Sequence, residues 1–370
     1  MDNERRRRRA QLAAAAATLA GAVATVSTLN AANYMVYWQE YEHESPTQYK
    51  LPVPFTSFEF NLDELSNEFT MLKFCFSKEE IGHIIPYLRL DQIVWNSRYK
   101  TSQELAFCIL LGCLAYPVRF EDMTTVFGRS KFYISSIFTD MVLHIRDRFQ
   151  DMLRWDPHRL TVNRLREYAQ HIDNLGGGDR VWGYIDGTLQ RTTRPGENQR
   201  SVYSGHKHYH GFKFQAVLTP DGLLSSVFGP VVGSCGDWML FQQSSIENNI
   251  KTLFETADIP EDEWLYIYGD PAYTGSAATI GAYKKPQNSQ LTASQSQFNK
   301  EMSQNRVAVE HGFGLVQHYW AKSAYHLSHK IGLSPVGASY FTACLLTNIM
   351  TCLHGNQVSK RFGCPAPSFE

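Results

Sequence analysis

An α/β fold is what this 370-residue chain predicts, with an all-helical first part ahead of a part that mixes strands and helices. Three observations carry that expectation. Two apolar runs, VWGYIDGT at 181–188 and WLYIYGD at 264–270, each climb to a single acid. Their β-branched and aromatic residues suit buried, pleated strands. Between 77 and 149 the apolar residues recur at helical spacing behind serine caps. Between the two patterns lies NLGGGD at 174–179, with three adjacent glycines. A composition of 43% hydrophobic and 19% charged residues implies a sizeable core, and the length suits one large catalytic domain plus a smaller one. A net charge of −1 gives no chain-wide attraction for nucleic acid, so any basic surface must be local. The seven cysteines are scattered with no C-x-x-C pair, which argues against a zinc knuckle or a disulfide framework and for buried thiols in a reducing compartment.

Taken in order, residues 1–33 form a tail of five arginines at 5–9 and an alanine-rich run. Basic then apolar is the outline of a signal or membrane segment at about 10–28. Alanine inserts weakly, however, and Gln11, Thr18 and Thr25 interrupt the run. A solvated tail before an alanine-rich helix and a nuclear-import or DNA-backbone tail are the other readings. Residues 34–62 are rich in aromatics, Pro and Glu without a period, and read as an irregular arm. Ser77 and Glu80 make a capping box ahead of Ile81, Ile84, Ile85 and Leu88. Ser102 caps an almost wholly apolar helix over 103–116 that Pro117 ends. A short amphipathic helix at 119–127, a turn at Gly128 and a helix over 131–149 capped by Ser130 follow. The last three helices, 102–149, have the spacing of a helix-turn-helix, which would set Arg129, Ser130 and Lys131 against DNA; a plain three-helix bundle has the same pattern. The helical domain is expected over 34–173 and the glycine-rich linker over 174–180. Strands at 211–218 and 223–232 flank the turn Pro220-Asp221-Gly222. A helix over 237–257, a strand at 264–270, a helix over 298–320 and a buried helical run at 336–353 complete the chain. A mixed domain at 181–320 and a C-terminal helical extension at 321–370 result.

The chemistry resides in acids at separate elements. A carboxylate at the end of a buried strand is costly without a partner. Asp186 and Asp270 end the two apolar runs, and Glu310 sits within the later helix. Three such acids suggest one oxygen-ligand site for Mg²⁺ or Mn²⁺. In-line displacement at phosphorus uses two ions roughly 3.5–4 Å apart, and Asp186, being central, is the expected bridging ligand. Asp237 opens a helix and reads either as a cap or as a fourth metal-linked acid. The block 190–213 carries Arg191, Arg194, Arg200, Lys207 and Lys213 against Glu197, a net +4 suited to a phosphate backbone. His206, His208 and His210 alternate as on one strand face, but no further Cys or His follows at ligand spacing, so zinc is not expected there.

The order and surroundings of these residues resemble the DDE transposases of the PIF/Harbinger superfamily, from about 181 to 318. IDGT carries Asp186, YGDPAY carries Asp270 and FNKEMSQNRVAVEHGFG carries Glu310; YSGHKHYHGFKFQAV and TPDGLLSSVFGPVVGS resemble the blocks between. Asp270 and Glu310 stand 40 positions apart, within the family's usual range. GSCGDW has Gly236 where the commoner form has histidine, and His311 stands where many relatives have arginine. The resemblance implies an RNase H-like nuclease domain behind a helix-turn-helix. It also implies a metal-dependent DNA transposase that nicks element ends and joins them to target DNA, with Asp186, Asp270 and Glu310 catalytic. A nuclear location, DNA as substrate, a separate Myb-like partner and a homo-oligomeric active form go with it. A catalytically silent DNA-binding derivative and a host nuclease using the same site are the alternatives.

Overall fold

The computed structural model describes residues 58–96, 98–273, 276–283, 285 and 290–369. The arginine- and alanine-rich tail, with its nuclear and membrane readings, and most of the 34–62 arm lie outside them. All the elements below belong to one compact unit.

Six helices lead. They are α1 (Asn67–Phe74), α2 (Lys78–Ile84), α3 (Gln103–Ala115), α4 (Phe120–Phe127), α5 (Lys131–Arg154) and α6 (Val162–Asp173). The caps are those the sequence carries. Ser77 and Glu80 close both halves of a capping box, and Ser102 and Ser130 accept from Leu105 N and Tyr133 N. All of α3 from Leu105 to Ala115 is buried. Gly128 ends α4 at φ 60, where a Cβ would lie 2.3 Å from the Phe58 carbonyl; only glycine fits. Helix α5 runs five residues beyond its expected end at 149, because Ile145 and Leu153 continue its buried stripe.

The second part holds β1 (Val181–Arg191), a short helix α7 (Gln199–Val202), β2 (Tyr203–Ser204), β3 (Tyr209–Leu218), β4 (Leu224–Val232), α8 (Asp237–Gln243), α9 (Ile246–Thr256), β5 (Tyr266–Gly269), β6 (Thr279–Gly281), α10 (Ala293–Tyr319), α11 (Val336–His354) and α12 (Gln357–Phe362). The sheet runs β2-β3-β1-β5-β6, with β4 also on β3. The β1–β3, β2–β3 and β3–β4 pairs are antiparallel; β1–β5 and β5–β6 are parallel. The 223–232 hairpin forms as expected, closed by Gly222 N to Thr219 O.

Three expectations are corrected. The first strand does not stop at Asp186: β3 supplies ladder partners as far as Arg191, so Asp186 lies mid-strand. The helix expected over 237–257 is two helices, broken where Ser245 takes φ 58. His206 and His208 lie in the turn between β2 and β3, so they share no strand face with His210.

Helix α6 packs on β1, and α5 packs on β4 and α11. One hydrophobic cluster runs from Leu62 to Cys364, so the leading helices and the sheet share a core. Asp221, in the β3–β4 turn and nearly fully buried, accepts from Arg159 (3.1 Å) and Tyr168 (2.5 Å) of the leading part. Helix α11 is long and apolar enough to cross a membrane, yet most of it is buried inside this fold.

Candidate active site

The parallel register of β1 and β5 builds the site. Tyr184 pairs with Tyr268. Asp186 lies two residues on in β1, on the same face as Tyr184, and Asp270 follows directly on the end of β5, close enough to act on the Asp186 carboxyl. The rings of Tyr184 and Tyr268 meet on that face, 6.4 Å apart and edge to face. Helix α10 crosses the same face. Phe298 packs its ring 6.3 Å from Tyr268, and two turns later Arg306 Nη1 donates to Asp186 Oδ2 at 3.1 Å. Glu310 is one turn further, and Arg306 Nη2 lies 3.5 Å from its Oε1. A single guanidinium therefore spans Asp186 and Glu310. The structure brings Asp186, Asp270 and Glu310 to one place, each from the element the sequence assigns.

Burial raises the Asp186 pKa. Gly187 N, donating to Oδ1 at 2.8 Å, and Arg306 oppose the rise, while Asp270 and Glu310 add to it. This is the signature of a buried carboxyl, with the neighbouring acids as the lesser cause. Asp270 Oδ1 accepts from Ala272 N at 2.9 Å, which fixes the acid on the turn that follows β5.

Asp237 lies on the other side of β1. A Cβ on Gly187, which faces away from Asp186, would stand 2.8 Å from Asp237 Oδ1 and 3.3 Å from the Tyr273 hydroxyl. Lys213, opposite Leu189 on that same face, donates to Asp237 Oδ1 at 2.8 Å. Lys213 is thus committed to an acid and mostly covered, rather than turned outward with the other basic residues of its block. Arg191, Arg194, Arg200 and Lys207 are exposed. Arg191 lies over the Tyr209 ring at 5.3 Å, and Arg194 Nε donates to Gln199 at 2.9 Å. At the start of α5, Arg129 lies over Tyr133 at 5.6 Å and Lys131 pairs with Glu121 at 3.1 Å.

Two residues escaped the sequence reading. Arg306 reads as one charge on a helix, and only its i,i+4 spacing to Glu310 hinted at a role. Tyr273 follows Asp270 closely; its buried hydroxyl has no hydrogen-bond partner and feels Asp237, Asp186 and Asp270 in that order.

The donor set is three carboxylates, hard oxygen ligands that suit Mg²⁺ or Mn²⁺. Arg306 lies between two of them and offsets part of their charge. Neither a curated protein nor a solved structure matches the chain. Residues 185–348, which begin one residue before Asp186 and hold Asp237, Asp270 and Glu310, match the family model of the DDE superfamily endonucleases.

Proposed function

We propose that the chain is a divalent-metal-dependent DNA nuclease of transposase type, with an RNase H-like domain over 181–320. It nicks element ends and joins the freed 3′-hydroxyl to target DNA. The observation that supports this most is that one guanidinium, Arg306, joins Asp186 and Glu310, while Asp270, just past the end of the neighbouring parallel strand, is close enough to act on the Asp186 carboxyl. Asp186, Asp270 and Glu310 would hold the metal, and Mg²⁺ or Mn²⁺ there would supply Lewis-acid activation of the attacking oxygen and charge for the leaving one.

The chain's own residues do the rest. Arg306 offsets part of the acid charge, and its planar fork suits a phosphate oxygen. The exposed Arg191, Arg194, Arg200 and Lys207 hold the DNA backbone, contacts that position without reading sequence. Arg129 and Lys131, at the start of α5 where a helix-turn-helix meets the major groove, read bases. Asp237 serves the site through Lys213 and Gly187 rather than as a ligand beside Asp186. A nuclear location, a homo-oligomeric active form and a separate Myb-like partner belong to the same reading.

The test is cleavage and joining of DNA carrying the ends that flank this gene, with Mg²⁺ and with EDTA. Asp186→Asn, Asp270→Asn and Glu310→Gln each keep shape but remove charge. Each should abolish cleavage and leave DNA binding intact, and the triple variant should be no worse, because the acids act as a unit. Cleavage persisting in Asp186→Asn overturns the proposal. Gly236, not Asp237, is the N-cap of α8, and Asp237 makes no capping bond, so the capping role that the sequence allowed it does not hold. Asp237→Asn should retain cleavage, because the amide oxygen can still accept from Lys213.

A further inference from the structure

Glu167 and His171 are one turn apart on α6, on one face of the helix. Helix α12 ends against them. Gly363 takes φ 60 and Cys364 N returns to Ser359 O, which turns the Cys364 side chain inward to full burial. A carboxylate oxygen of Glu167, a ring nitrogen of His171 and the Cys364 sulfur all lie within 4.8 Å of one another. Tetrahedral zinc bonds of about 2.0–2.3 Å set ligand atoms about 3.3–3.8 Å apart, so side-chain rotation alone can close the triad.

A second observation points the same way. His171 Nδ1 lies 3.0 Å from the Phe362 carbonyl, which can only accept. Nδ1 therefore carries the proton and Nε2 keeps its lone pair, the tautomer and backbone anchor that metal-binding imidazoles use. Arg164 Nη1 donates to Glu167 Oε2 at 2.8 Å and orients that carboxylate in the same manner.

We propose that Glu167, His171 and Cys364 form a zinc site, separate from the acid site, that ties the C-terminal segment to α6. One sulfur, one nitrogen and one oxygen favour Zn²⁺ over Mg²⁺. Glu167 is at the exposed end, so water completes the tetrahedron. Binding releases the thiol proton to solvent and leaves the three ligands and ion near neutral. Because α6 packs on β1, the strand that carries Asp186, the site is a structural staple under the acid site.

The test uses the full chain carrying Asp186→Asn, Asp270→Asn and Glu310→Gln, which silences the acid site, after stripping with chelator. Zn²⁺ should bind one to one and raise the melting temperature, and Co²⁺ should give the near-ultraviolet charge-transfer band of a cobalt–thiolate bond. Cys364→Ser should lose that band and weaken Zn²⁺ by about a hundredfold or more. Glu167→Gln changes only an exposed side chain, so it folds even if Cys364→Ser does not, and it should weaken binding about tenfold or more. No stoichiometric Zn²⁺, a cobalt spectrum without the thiolate band, or unchanged affinity in Glu167→Gln each overturns the proposal.

Discussion

Asp186 shows how one residue's environment prepares it for a cation. Burial holds its pKa above the ordinary 3.8, reinforced by Asp270 and Glu310 and only partly relieved by Gly187 N and Arg306. In the window between 3.8 and the raised value the folded chain binds more protons than the unfolded chain. Stability therefore falls as pH rises through that window, and the ionised acid is a net cost above it. Asp186→Asn in EDTA should accordingly melt higher than the parent at neutral pH, and the gain should fade as pH is lowered toward 3.8. A variant that melts lower at neutral pH would mean that the Arg306 pair outweighs the burial. Asp186, Asp270 and Glu310 were legible because each ends or punctuates a strong periodic pattern. Arg306, Tyr273 and the Lys213–Asp237 pair were not, because their roles depend on which strand faces which across the sheet. The Glu167, His171 and Cys364 triad was equally hidden, since nothing local joins two residues of α6 to a cysteine near the C-terminus.

Helix α10 carries both Arg306 and Glu310, and its 27 residues extend five positions ahead of the expected start. The start is set by a capping box in which Thr292 accepts from Gln295 N and Gln295 returns to Thr292 N. The same signature was readable at Ser77 and Glu80, where apolar residues follow it at helical spacing; after Thr292 the next residues are polar, so no period announces the helix. Thr292→Ala should cost about 0.5–2 kcal/mol in urea denaturation. It should leave cleavage unchanged, because Glu310 lies five turns further along the helix. Lost cleavage with little lost stability would show that the first turns of α10 touch the substrate. Elsewhere the short β6 escaped because three residues have no period. The break at Ser244–Ser245 escaped because neither residue is Gly or Pro, the usual marks of interruption.

At the scale of the whole molecule, one feature binds the leading helices to the sheet, and under the proposed function a second binds the sheet to DNA. The first is Arg159 on Asp221, the ion pair at the β3–β4 turn. Removing one partner of a buried pair leaves a charge uncompensated, and Arg159→Ala should cost about 3–5 kcal/mol in urea denaturation, unfolding both parts in one transition because they share a core. The second is the exposed basic surface. Arg191, Arg194 and Arg200 are exposed, Arg191 over the Tyr209 ring and Arg194 bonded to Gln199, whereas Lys213 is held by Asp237. Each phosphate contact contributes about 0.9 to the slope of log affinity against log salt. Neutralising the three arginines should flatten that slope by about two to three and weaken matched and scrambled DNA alike. Lys213→Ala should leave the slope unchanged, which separates the covered, paired lysine from the exposed cations of its block. Arg129→Ala with Lys131→Ala should instead reduce the preference for matched ends, since the N-terminal residues of a recognition helix contact base edges. If the two sets of variants shift salt dependence and preference identically, the division between backbone holding and base reading is wrong, and α4 and α5 are parts of a helical bundle with no reading role.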